Sequence, residues 1–221
     1  MKNKLLIAMA AILTIGMTSC TKDSSTGATG AASVNYQVKT INKTYTIPNS
    51  SATISWLAGY VNVTKVEFEA ESANVHVKYE TKASQKFDLF TSAPALGNVS
   101  IPAGTYTKAE FEIKFEKSSV ADAFQLSGKY NATPIIFKVS DDGEFEVDAE
   151  LANVTIAPDR NYSAMVTIDF SKLTSGISVA DFNNAVKDNT GAIVISANTN
   201  ASLYSIMKNN LNKFVANVEF Q

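Results

Sequence analysis

The run from Thr107 to Glu116 alternates apolar and charged side chains, and a turn through Pro102 and Gly104 opens it. Ala109, Phe111, Ile113 and Phe115 share one phase, while Lys108, Glu110, Glu112, Lys114 and Glu116 share the other. A period of two predicts a half-buried antiparallel strand, apolar side inward and charged side wet. Such a strand needs neighbours along its edges and a second layer over its apolar face. Tyr106 falls in the charged phase beside the turn. That phase predicts a surface tyrosine whose hydroxyl bonds a neighbouring loop.

The same signature recurs along the chain. Val34, Tyr36 and Val38 begin it, and Ile54, Trp56 and Ala58 follow before Gly59 interrupts. Val61 and Val63 differ in parity from Val66, Phe68 and Ala70, which predicts a bulge or break at Thr64-Lys65. Val75, Val77 and Tyr79 form another strand pattern, with His76 and Lys78 on its outer face. Phe87, Leu89 and Phe90 read as a separate short strand, and Phe124 to Leu126 as a brief one before Gly128. Around Asp141-Asp142-Gly143, a three-residue loop with Gly143 left-handed sets Val139 opposite Phe145 and Phe137 opposite Val147. This register buries one consistent face and predicts a hairpin over Ile135–Leu151, with Glu144, Glu146, Asp148 and Glu150 outward. Leu151 and Val154 differ in parity, so a bend is expected near Ala152-Asn153. Tyr162, Ala164, Val166, Ile168 and Phe170 complete the set. The hairpin and this last strand are the expected partners of the opening stretch.

The last fifty residues change character. Ser178 with Asp181 three positions on predicts a capped helix, and Ile177 and Phe182 stand where a hydrophobic staple places them. Ile193 to Ile195 reads as a buried strand. Leu203, Ile206, Met207, Leu211 and Phe214 recur at helical spacing, and Val218 and Phe220 close the chain as a strand. The expected fold is mainly β. It is an antiparallel β-sandwich in one domain over residues 34–221, with a small helical C-terminal subregion over 171–221.

Met1 to Lys4 is basic, and an apolar run from Leu5 to Gly16 follows. That run is too short to span a bilayer, which takes ~20 residues, but it suits the core of a signal peptide. Met17-Thr18-Ser19-Cys20 resembles a bacterial lipobox. The expectation is a signal peptide over 1–19, cleaved between Ser19 and Cys20, with acyl chains such as palmitate on Cys20. Cys20 is the only cysteine in the chain, and it stands at the one place lipidation requires. Each buried acyl methylene contributes about 0.8 kcal/mol, so two or more chains anchor durably. Thr21, rather than Asp, after the cysteine points to the outer membrane. Residues 20–33, rich in Ser, Thr, Gly and Ala, read as a flexible tether.

A net charge of −2, or −4 once Lys2 and Lys4 leave with the leader, excludes an electrostatic partner such as nucleic acid. One cysteine rules out an internal disulfide and a cysteine zinc site, and one histidine, His76, rules out a histidine-rich metal site. No cofactor motif is present.

Val63-Thr64-Lys65-Val66-Glu67-Phe68, Phe87-Asp88-Leu89-Phe90, Ile101-Pro102-Ala103-Gly104-Thr105-Tyr106 and Asp169-Phe170 occur in this order. The order resembles a family of Bacteroidota envelope lipoproteins that carry a domain of unknown function. The resemblance covers about residues 55–170, and the Pro-Ala-Gly-Thr-Tyr turn is its most specific part. It implies a prealbumin-like or immunoglobulin-like sandwich and a cell-envelope address, and it supplies no catalytic residues.

The candidate sites are few. His76 as a general base lacks an arranged nucleophile and acid. The acidic row Glu144 to Glu150 splays along a strand, and Asp141-Asp142-Gly143 lacks the spaced ligands of a calcium loop. Trp56 and Tyr60 are the candidate ligand-binding residues, as a sugar-stacking platform, although Trp56 shares phase with Ile54 and so reads as core. The leading function is a non-enzymatic, lipid-anchored envelope lipoprotein, held in the membrane through acylated Cys20 and presenting its sandwich to a glycan or protein partner. The alternatives are a fimbrial subunit assembled by strand donation and a carbohydrate-binding accessory lipoprotein.

Overall fold

The structure is a computed structural model describing residues 30–73, 75–91, 95–140, 145–213 and 215–220. In chain order the strands are β1 (Ala31–Ile41), β2 (Thr44–Thr46), β3 (Thr53–Ser72), β4 (Val75–Asp88), β5 (Ala95–Pro102), β6 (Gly104–Phe115), β7 (Phe124–Tyr130), β8 (Thr133–Val139), β9 (Phe145–Ile156) and β10 (Asn161–Asp169). Then come α1 (Phe170–Leu173), α2 (Val179–Asn183), β11 (Ile193–Ile195), α3 (Ala201–Leu211) and β12 (Val215–Phe220).

Two sheets form, and the protein is mainly β. The smaller has the order β12-β10-β1-β5, and the larger runs β11-β8-β7-β3-β6-β9, with β2 and β4 also on β3. Inward rows of both sheets share one apolar core, including Val34, Tyr36, Val166 and Ile168 from the first and Trp56, Phe68, Ile113 and Phe137 from the second. The sheets are not purely antiparallel: β1 pairs with β10 and β11 with β8 in parallel. Parallel neighbours need long crossovers rather than hairpins. The chain supplies them, because β2 to β9 all intervene between β1 and β10, and α1 and α2 are among the elements between β8 and β11.

β3 is the spine. Its 20 residues serve β2 and β7 with one half and β4 and β6 with the other. Register shifts at Val63/Lys65 and at Trp56/Ala58 reverse which parity faces inward. The first is the bulge that the parity change announces. The second lifts Leu57 out to 60% exposure directly after buried Trp56.

Several expectations change. β1 starts at Ala31, inside the stretch read as tether. Phe87 belongs to a continuous β4, and Leu89 and Phe90 form the turn after it. The predicted hairpin does not form: β8 pairs with β7 and β11, and β9 pairs with β6. The two rows are compatible in register, but β6 and β9 match at eleven positions, a longer ladder than the hairpin offered. β8 instead meets β7 across Asn131-Ala132, where Asn131 adopts φ 51°. The loop Asp141-Asp142-Gly143 lies outside the described residues. β6 therefore lies between β3 and β9, and β10 is in the other sheet.

Tyr106 is buried, not on the wet face, and its hydroxyl donates to Pro102 O in its own turn at 3.0 Å. Asn153, at φ 57°, stands opposite Thr107 in the β6–β9 register and rotates the ribbon there. Tyr106 and Ile156 are thus inward on one side of this point, and Ile113 and Phe115, of the other parity, are inward beyond it. The bend expected at Ala152-Asn153 exists, and it turns β6 as well.

The outer face of β3, β4 and β6 carries a charge ladder. Lys78 Nζ lies 2.6 Å from Glu67 Oε1, and Lys65 Nζ lies 3.2 Å from Glu67 Oε2 and 2.5 Å from Glu112. Glu67 is only 6% exposed. Burial pushes its carboxyl up, but hydrogen bonds and charge from Lys78 and Lys65 outweigh this and hold it below the ordinary carboxylate range. A carboxyl lowered on folding stabilises the fold above its unfolded pKa, about 4.3 for Glu. That contribution disappears as pH falls through the lower folded value. Glu67→Gln is therefore expected to lose about 1–3 kcal/mol at neutral pH. Its urea midpoint should depend less on pH below about 4.3 than that of the wild type. Equal acid sensitivity in both proteins would refute the assignment.

Candidate functional site

The C-terminal subregion builds a cleft against the β2–β3 turn. Asp169, at the end of β10, caps α1 by accepting from Ser171 N at 2.9 Å and Ser171 Oγ at 2.6 Å. It also accepts from Asn42 Nδ2 at 2.9 Å, which ties the end of β1 to this corner. Burial disfavours the charged Asp169, but these hydrogen bonds and the nearby Lys172 charge win, so its pKa is lowered. Ser178 caps α2 in a full capping box with Asp181, and buried Ile177 and Phe182 flank it as the staple requires. Phe182 stacks on Tyr130 of β7 at 4.9 Å, and Tyr130 Oη donates to Asn183 Oδ1 at 2.9 Å. From α3, Asn210 Nδ2 donates to Leu173 O at 3.0 Å and to Ser175 O at 2.8 Å. The segment between the two short helices is thus held from three sides.

Opposite it, the β2–β3 turn is closed by Ile47 N to Ala52 O at 2.8 Å and by Ser50 Oγ to Ile47 O at 2.8 Å. Between these walls lies an open cleft of about 810 Å³. The Tyr45 and Thr174 hydroxyls bond across it at 2.9 Å. Burial, with a smaller contribution from the Asp169 charge, pushes the Tyr45 phenol up to about 12. Among the described residues, Lys172 is the only charged side chain that lines the cleft; hydroxyls such as Thr46 and Ser175 and apolar groups such as Ile47 and Val179 supply the rest. Walls preset in this way lose little freedom when a ligand arrives. A lining of hydroxyls and one cation suits an uncharged or anionic polar small molecule. Its hydroxyls have no histidine, cysteine or carboxylate beside them among the described lining residues.

The residues singled out from sequence do not assemble. Trp56 is 2% exposed, and its Nε1 lies beside the Tyr45 hydroxyl without completing an aligned hydrogen bond. Tyr60 is half-buried, with Lys86 Nζ 3.6 Å from its ring centroid and its hydroxyl 3.5 Å from Gln125 Oε1. One ring is enclosed and the other is capped by a cation, so the two make no stacking platform. His76 is exposed, with Nε2 2.6 Å from Glu69 Oε1. Glu146, Asp148 and Glu150 stand in register with Lys114, Glu112 and Glu110 of β6, and Glu144 lies outside the described residues. Ser19 and Cys20 also lie outside them.

Sequence reasoning missed Tyr45, Thr174 and Asn210. The caps at Asp169 and Ser178 are local signals, but the Tyr45–Thr174 contact joins residues 129 apart in the chain, and nothing local announces it. Among the described residues no helix is long and apolar enough to cross a membrane. No protein-family model, curated protein or solved structure matches the chain.

Proposed function

We propose that the protein is a non-enzymatic lipoprotein of the cell envelope. Acylated Cys20 anchors it in the outer membrane, and its β-sandwich presents the Tyr45–Thr174 cleft to a small polar ligand. The observation that carries the reading is the single cysteine, placed directly after a basic start, an apolar run and small residues. Catalysis has little support, because the cleft is lined by hydroxyls without a base. A self-contained module is favoured over a subunit completed by strand donation, because the chain fills the place between β10 and β5 with its own β1.

Labelled palmitate supplied to cells of a lipoprotein-processing bacterium tests the anchor. The wild type is expected to take up label and to sediment with membranes. Cys20→Ser is expected to take up none and to leave the membrane fraction. Label that persists in Cys20→Ser, or an unlabelled wild type, would end the proposal.

A further inference from the structure

On the outer face of the large sheet, the β3–β4 ladder brings together three side chains that are scattered in sequence. Glu71 stands directly opposite His76, and Glu69, two residues back along β3, shares its face. His76 Nε2 lies 2.6 Å from Glu69 Oε1 and 3.7 Å from Glu71 Oε1, and one ligand atom from each residue falls within 4.8 Å of the others. We propose that Glu69, Glu71 and His76 bind a divalent transition-metal ion of the Zn²⁺ or Cu²⁺ class.

The geometry is close to what such an ion needs. Imidazole and carboxylate ligands sit about 2.0–2.2 Å from zinc, which sets neighbouring ligand atoms about 3–3.5 Å apart. One of the present contacts is shorter than that and the other slightly longer. Both can be met by turning the side chains of half-buried Glu69 and exposed Glu71, with no backbone movement in a ladder paired at twelve positions. The charges agree as well. Lys78 is engaged by Glu67 at 2.6 Å and stays 3.7 Å from Glu69. Lys108, opposite Glu71 on β6, pairs with Glu110 at 2.5 Å. Among the described residues the ion-pair partner of Glu71 is His76 alone. Two carboxylates are therefore left with an imidazole as their closest shared neighbour, a net negative locus with a nitrogen donor at its centre. The nitrogen selects the ion, since imidazole suits Zn, Cu and Ni whereas Ca and Mg favour all-oxygen sites. This distinguishes the cluster from the acidic row on β9. Three protein ligands leave a position for water or for a group from a partner.

His76 is the only histidine, which makes the test clean. The full chain carrying Cys20→Ser, so that no thiolate competes, is purified without a histidine tag and titrated with zinc chloride by calorimetry. The imidazole NMR signals are followed in parallel. One equivalent is expected to bind saturably, with the imidazole signals shifting to an end point at that equivalent. Losing even an outer partner of a metal ligand costs about 10–100-fold in affinity, so His76→Gln and Glu69→Gln are each expected to weaken binding at least about tenfold. Circular dichroism confirms that each variant is folded. The proposal fails if His76→Gln binds zinc as tightly as its parent, or if no saturable binding occurs below about 1 mM zinc.

Discussion

Gly128→Ala is expected to be among the most damaging single substitutions in the molecule, although it adds only one methyl group. Gly128 lies on β7 opposite Trp56, where the second register shift of β3 begins. A β-carbon at this position would meet Ser55 O at 2.1 Å, Trp56 Cα at 2.9 Å and Ser55 C at 3.0 Å. All three are backbone atoms of the paired strand, so no rotamer change relieves the clash. Either β7 or the spine must move. Overpacking in a well-formed core costs about 1–3 kcal/mol and occasionally more, and a backbone clash belongs at the upper end. At about 2–4 °C per kcal/mol for a domain of this size, a loss of about 3 kcal/mol lowers Tm by roughly 6–12 °C. Gly104→Ala is the control. Its added carbon would meet the Tyr106 ring no closer than 3.6 Å, an ordinary contact. A Tm change within roughly 2 °C, the equivalent of about 0.5 kcal/mol, is expected there. Similar melting of the two variants would show that β3 and β7 are not packed as described.

Trp56→Ala is the second. Trp56 is among the largest fully enclosed side chains, and it stands at the junction of β2, β3 and β7. Large-to-small changes of this kind leave a cavity and cost about 3–5 kcal/mol, a sizeable part of the 5–15 kcal/mol that holds a typical domain together. Trp56→Phe separates shape from polarity. It keeps most of the apolar area and removes a buried indole N–H that lacks an aligned acceptor, so its cost is expected below about 1.5 kcal/mol. Urea titrations of both variants, followed by circular dichroism, test this directly. Trp56 is the chain's only tryptophan, so its emission in the native wild type should also be that of an apolar site and move to longer wavelength on unfolding. A water-exposed emission in the native state would restore the stacking-platform reading that burial removes.

What was legible in the sequence follows from how far each signal reaches. Period-two alternation identified β1, β3, β6, β8, β9 and β10, because side-chain phase is a local property. The parity changes at Thr64-Lys65 and Ala152-Asn153 were equally local, and both correspond to distortions in the strands. The capping box at Ser178 was a three-residue pattern and stands as written. Pairing was harder. Ile135, Phe137 and Val139 suit Phe145 and Val147 as well as they suit Phe124 and Leu126, so alternation alone does not choose between neighbours. Tyr106 was misplaced because β6 rotates at Thr107, where the ladder to β9 skips a pair beside left-handed Asn153. The cleft and the Glu69–Glu71–His76 cluster depend on cross-chain register, and no local spacing encodes it.

The placement of β1 has a mechanical consequence. Under the proposed anchoring through Cys20, a pull from the membrane reaches the described chain at Ala31, the first residue of a strand held on both sides. β1 matches β10 at nine positions and β5 at seven. Tension along the strand loads these bonds together, in shear, rather than peeling them one after another. Unravelling under force is governed by the unfolding barrier, not by equilibrium stability. In that proposed anchored state, β1 transmits load into both of its neighbours at once.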